Sequence, residues 1–291
     1  MAYRTLRSGQ RCQLWVGGPE LPEPELVFET DRLLIEAPNW SLTGNDLYVN
    51  GNGRLWRLPV DGSSGLVEIA HQDLPNINND HVLDPDGVHI YLSAEGQIYR
   101  ASLNGGPVER VTIEEGVQHY LHGISPDGKR LAYVLIAGTQ PGRLAIMTPG
   151  GQSTVIDDLP GHLDGPEWSP DGQWIYVNTE AFTDRPGHAQ LARLRDDLGH
   201  PLELERLAVS DTVDWFPHLS PDGDYASYIV FPLGTLGHPE DLEVEVRVVS
   251  TADWTTPLQR YPLFGGQGTL NVNSWAPDGQ RFAFVAYPIA S

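Results

Sequence analysis

A four-residue signature recurs along this 291-residue chain and limits what it can become. It reads Ser125-Pro126-Asp127-Gly128, Ser169-Pro170-Asp171-Gly172 and Ser220-Pro221-Asp222-Gly223. Altered copies are Asp84-Pro85-Asp86-Gly87 and Ala276-Pro277-Asp278-Gly279, and a worn one is Ser41-Leu42-Thr43-Gly44. Proline presets φ for the second position of a type I turn, aspartate hydrogen-bonds its own backbone, and glycine accepts the left-handed conformation that closes the hairpin. Each copy therefore marks a β-hairpin tip with one apolar strand entering and another leaving.

The tip glycines stand at 44, 87, 128, 172, 223 and 279, at intervals of 43, 41, 44, 51 and 56 residues. Such spacing is close to that of a four-stranded propeller blade. In the second unit the strand signals are Asp80–Leu83, Val88–Ser93, Gln97–Leu103 and Val108–Ile113, the last after the turn Asn104-Gly105-Gly106. The fold expected is all-β, a six-bladed propeller with four antiparallel strands per blade, in one domain over 1–291. The sixth unit runs out of chain after two strands, while Cys12–Val16 and Leu26–Glu29 are unassigned. N-terminal strands are expected to complete the last blade, built from 272–287 with 11–30, so that no sheet edge is left open.

Lys and Arg number 18 against 39 Asp and Glu, a net charge of −21. Nucleic acid and anionic membrane surfaces both require a basic footprint, so neither is an expected partner. Cys12 is the only cysteine, which excludes intramolecular disulfides and cysteine-rich zinc sites. Arg4, Arg7 and Arg11 precede no apolar run of signal-peptide type, and no stretch reaches membrane-span length; a cytoplasmic protein is expected.

Sequence-local catalytic motifs are absent: no phosphate loop, nucleophile elbow, H-E-x-x-H or dinucleotide fingerprint occurs. Chemistry must then come from convergence in space. The first strand of every propeller blade lines the central channel, and aligning the six first strands on their turns puts His81, His122 and His218 at near-equivalent places, with Glu167 on the fourth. Imidazoles with a carboxylate suit Zn, Mn or Fe, so these four are the candidate ligands of a divalent metal. His119, His162 and Asp214 on the same rim are candidate catalytic groups, with Asp164 and Asp211 beside them. Tyr120 and Trp215 offer aromatic platforms to a sugar, Arg185 a partner for an acidic group, and Asn39 and Asn273 polar contacts. Histidines that merely hydrogen-bond neighbouring loops give the same pattern. Two insertions, Glu180–Ala189 and Phe231–Glu243, stretch the fourth and fifth units, either as tolerated surface loops or as covers for a site.

The run Pro166-Glu167-Trp168-Ser169-Pro170-Asp171-Gly172, with Gly96-Gln97-Ile98-Tyr99-Arg100 and the Gly-Gly turns, resembles the TolB-type propeller repeat over nearly the whole chain. The resemblance implies a six-bladed ring and a surface that meets a protein partner. The mouth is also somewhat similar in layout to that of the oligogalacturonate lyases, propellers whose histidines hold a divalent metal. That similarity implies metal-assisted elimination or hydrolysis of a sugar or uronate. A small sugar-like ligand and a protein partner remain the two alternatives.

Overall fold

The computed structural model describes residues 3–197 and 202–289. Six antiparallel sheets stand around a common axis as the blades of a propeller. Blade 1 comprises Glu36–Trp40, Asp46–Gly51, Arg54–Pro59 and Val67–Ile69, from the axis outward. Blade 2 comprises Ile77–Leu83, His89–Ala94, Gln97–Ser102 and Gly106–Arg110, with His71–Gln72 added in parallel at its outer edge. Blade 3 holds Gln118–Ile124, Leu131–Ile136, Arg143–Met147 and Thr154–Val155. Blade 4 holds Leu163–Trp168, Trp174–Thr179, Gln190–Arg195 and Glu205–Arg206, and blade 5 Val213–Leu219, Tyr225–Phe231, Glu240–Ser250 and Gln259–Gly266.

Blade 6 joins the two ends of the chain. Cys12–Gly18 lies between Phe282–Ala286 and Leu21–Thr30, pairing with both. The innermost position is taken by residues 269–275, through the Trp275–Phe282 bridge and hydrogen bonds from Ala283 N to Ser274 O and Val285 N to Thr269 O.

The hairpin tips show why the repeat has its composition. Gly128 N donates to Ser125 O at 2.8 Å, Ser125 Oγ donates to Asp127 Oδ1 at 2.7 Å, and Arg130 N donates to Ser125 Oγ at 2.9 Å. Gly128 takes φ 73°, which a residue with a Cβ rarely adopts. Its Cα faces the Pro85 ring of the preceding tip, as Gly172 faces Pro126 and Gly223 faces Pro170. The tips thus stack side by side as well as closing their own hairpins.

Between blades the sheets pack face to face, and each of the six interfaces has its own apolar cluster. Trp40, Trp168 and Trp275 are almost wholly buried there. Trp275 Nε1 donates to Ser227 Oγ at 3.0 Å and to His218 O at 3.1 Å, satisfying the indole in the interior.

The innermost strands of blades 1 to 5 share an irregularity that shapes the axis. Each carries one or two residues more than its partner, between Glu36 and Asn39, Ile77 and His81, Leu121 and Gly123, Asp164 and Glu167, and Trp215 and His218. A bulge re-aims the side chains around it. Ala37, Gly165 and Phe216 adopt φ of 51°, 59° and 56° in these bulges.

Candidate functional site

A cavity of about 430 Å³ opens at one end of the axis, walled by Glu36, Asp80, Tyr120, His122, Asp164 and Trp215 of the inner strands. His162, just ahead of blade 4, joins them, as do His238 of the blade 5 insertion and Arg4 of the N-terminal segment.

At its centre the Asp164 carboxylate collects three imidazoles. His122 Nε2 lies 3.1 Å from Oδ1, while His162 Nε2 and His238 Nε2 lie 3.5 and 3.9 Å from Oδ2. Gly142 N donates to His162 Nδ1 at 3.0 Å, so the ring proton of His162 sits on Nε2, facing the carboxylate. Asp80 Oδ1 is 3.8 Å from the other side of His122 Nε2, and the His122 ring stacks on Phe216.

These groups set one another's charge. Burial opposes the His122 cation, but Asp80 and Asp164 outweigh it and hold the imidazole up at about 9. Burial also opposes ionisation of Asp164, yet hydrogen bonds from His122 and His162 keep it well below the usual carboxylate range. Burial pushes Asp80 up to about 6 against the pull of His122. His162 is raised because Asp164 overcomes its burial, whereas burial prevails for His238 and lowers it.

The four candidate metal ligands do not share a point. His81 is buried in a second tier away from the cavity, with Nδ1 2.6 Å from Asn39 Oδ1 and Nε2 3.3 Å from Asn50 Oδ1. Burial drives it down to about 3, so it is neutral. His218 Nδ1 lies 2.6 Å from Glu167 Oε2, and its Nε2 meets the Leu270 carbonyl at 3.2 Å. Glu167 Oε1 accepts from Leu219 N and Asn273 Nδ2, and Asn39 Nδ2 donates to Asn273 O. Asn39, His81, Glu167, His218 and Asn273 thus form a buried hydrogen-bonded tier, while His122 alone of the four ligands reaches the cavity. The bulges explain the separation: His81 and His122 both stand six residues before their tip glycines, yet His122 is itself the extra residue of its strand.

Among the other candidates, His162 and Tyr120 line the cavity. Trp215 lines it too, but its ring is covered by His238 at 4.5 Å and Phe216 at 5.5 Å. His119 is buried in blade 3, hydrogen-bonded to Gly96 O and packed on Tyr133. Asp214 accepts from Ser210 Oγ and Thr212 Oγ1 outside the cavity. Arg185 is exposed and pairs with Asp211 at 3.1 Å. Asp80, His238, Glu36 and Arg4 were not among the candidates; Asp80 and Glu36 stand on the inner strands, His238 stands on the Phe231–Glu243 insertion that was weighed as a cover for a site, and nothing in the sequence placed Arg4 at the axis.

Among the described residues, one group of His, Cys, Asp or Glu has three ligand atoms mutually within 4.8 Å: Asp84, Asp86 and His89 at the blade 2 tip. The Arg100 guanidinium sits among them, with Nη2 2.9, 2.7 and 2.9 Å from Asp84 Oδ2, Asp86 Oδ2 and His89 Nδ1.

The ring, its repeated tips and its axial cavity make the molecule a six-bladed TolB-like propeller. The chain belongs to the family of Atu1656, an uncharacterized protein of Agrobacterium fabrum, with which it is 36% identical over 267 residues, 90% of this chain and 87% of that one. The structure of a TolB-type protein from Agrobacterium tumefaciens matches with TM-score 0.86 at 34% identity, covering 97% of this chain and 99% of that one. TolB from Acinetobacter baumannii is more distant, with TM-score 0.54 at 17% identity over 92% of this chain and 56% of its own. An oligogalacturonate lyase in complex with manganese has TM-score 0.50 at 14% identity, over 79% and 64%; these last two likenesses concern the fold alone. No family model matches the chain. No helix among the described residues is long and apolar enough to cross a membrane.

Proposed function

We propose that the axial cavity binds a sugar- or uronate-type ligand and performs proton-transfer chemistry on it, as a lyase or hydrolase. The observation that supports this most is the meeting of three imidazole Nε2 atoms at the Asp164 carboxylate. Their pKa values are displaced in opposite directions, the condition for separate acid and base roles. His122, charged, would face the ligand's carboxylate or a developing oxyanion. His238, neutral, would take the proton α to that carboxylate, the C–H electron pair becoming the new C=C bond. The glycosidic oxygen would leave with a proton from the His122 imidazolium, which becomes a neutral imidazole, while His162, its Nδ1 taken by Gly142 N, would hold Asp164 through its Nε2–H. Tyr120 would lie against the sugar ring.

A divalent ion in the same place is a second reading, favoured by the donor set of three imidazole nitrogens and a carboxylate, which suits Zn, Mn or Fe. His122, His162, His238 and Asp164 would hold it, and it would supply Lewis-acid stabilisation of the enediolate. As placed, no three of these atoms lie mutually within 4.8 Å, so an ion would have to draw them together. A protein-interaction role is favoured by Leu233 and Leu236, which are 62% and 68% exposed on the insertion that supplies His238. A cytoplasmic site of action stays part of the proposal.

The test is ultraviolet detection of an unsaturated product from oligogalacturonate, with metal analysis of protein purified without a histidine tag. Turnover lost in Asp164→Asn and His238→Gln supports the first reading, and chelator-sensitive turnover with stoichiometric metal supports the second. Neither turnover nor saturable uronate binding would leave the protein-partner role standing.

A further inference from the structure

The segment before Cys12–Gly18 forms no strand from Tyr3 to Gly9, yet it delivers a guanidinium to the cavity wall. Arg4 Nη1 donates to Glu36 Oε1 at 2.9 Å and to the Gln267 carbonyl, and Nη2 lies 3.7 Å from Asp241 Oδ1. The guanidinium carbon stands 4.8 Å over the Tyr287 ring. The receiving carboxylates belong to the interior: the Glu36 and Asp241 side chains are 6% and 5% exposed. The placement of the receiving groups depends on Gly268, where a Cβ would fall 2.6 Å from Glu36 Oε1 and from the Tyr287 hydroxyl.

We propose that Glu36, Asp241, the Tyr287 ring and the Gln267 carbonyl form a subsite for the guanidinium group of a cavity ligand, and that Arg4 is its displaceable internal occupant. Two carboxylates and an aromatic face are the groups that select a planar, delocalised cation. The occupant can leave because no strand pairing holds residues 3–9, and the Arg7–Asp241 pair at 2.8 Å involves a mostly exposed arginine. Departure without replacement would strand the Glu36 carboxylate in the interior with Asn50 Nδ2, 2.9 Å away, as its remaining side-chain donor. An incoming guanidinium removes that penalty, so ligand binding and release of the N-terminal segment are one exchange. The inference does not rest on the acid–base reading, since it uses none of the imidazoles around Asp164.

Calorimetric titration with methylguanidine tests it. Arg4→Ala is expected to bind methylguanidine about tenfold or more tightly than the unaltered protein, whose subsite is filled. Its thermal midpoint should rise towards that of the unaltered protein as the ligand is added. Glu36→Gln added to Arg4→Ala should abolish the binding, and methylurea, uncharged, should not bind. Asp164→Asn, which should stop the proposed elimination, leaves methylguanidine binding unchanged, so the two readings fail separately. A folded Arg4→Ala protein with affinity equal to the unaltered one, or binding that survives Glu36→Gln, overturns the proposal. If Arg4→Ala does not fold, Arg4→Lys takes its place: its single-point charge fits the fork less well, so it should be displaced by methylguanidine more readily than arginine, and equal displacement overturns the proposal.

Discussion

His122 Nε2 and Asp164 Oδ1 stand 3.1 Å apart, both residues more than nine-tenths buried, at the point where blades 3 and 4 meet the axis. The pair is kept charged by its surroundings, and this makes stability depend on pH. The folded His122 pKa, about 9, is above its ordinary value, so its contribution is complete below about pH 6.5 and is lost as pH rises through 9. The shift corresponds to about 3 kcal/mol. Asp80, raised to about 6, acts in the same direction at lower pH, its contribution disappearing between about 4 and 6. Thermal midpoints measured across pH 6 to 10 should fall, and Asp164→Asn should flatten the alkaline part of the curve.

Closure of the ring can be weakened at one side chain. Leu14 is fully buried on the strand shared by the two chain ends, opposite Phe28 and Val285. Leu14→Ala should cost about 2–5 kcal/mol. Urea unfolding should show an earlier midpoint in a single transition; a separate early transition would mean that blade 6 opens by itself.

Gly165 tests the bulge. It sits at φ 59°, and a Cβ there would come within 2.8 Å of Phe216 Cδ1 and 3.0 Å of Asn178 Oδ1. Gly165→Ala should destabilise by about 1–3 kcal/mol. Because Phe216 carries the stacked His122 ring, the same variant should weaken uronate binding, as calorimetry can check.

Arg100 occupies the centre of Asp84, Asp86 and His89. Arg100→Ala should turn this group into a weak divalent-cation site, visible as Mn²⁺ binding by electron paramagnetic resonance and absent at this tip in the unaltered protein. An unchanged manganese spectrum would show that the three ligands do not act together.

The fold was legible because its determinant is local. A tip such as Ser125-Pro126-Asp127-Gly128 completes its turn from its own four residues, so its spacing along the chain reports the blade directly. The site was legible only in outline. Which inner-strand side chains reach the cavity is decided by bulges, and no residue type announces one: Ala37, Gly165 and Phe216 fill comparable positions. His81 and His122 therefore look equivalent in the sequence and differ in space. His238 and Arg4 arrive on segments outside the repeat, so their place depends on long-range packing that the repeat does not encode.

The seam in blade 6 brings Arg11 N to within 2.8 Å of Pro288 O. With Arg11 and Pro288 paired, the order of the blades along the chain is not what holds the ring together. A circular permutant joined across the seam and cut in the Asn104–Gly105 turn, where Asn104 is exposed, should assemble the same ring from a different first residue.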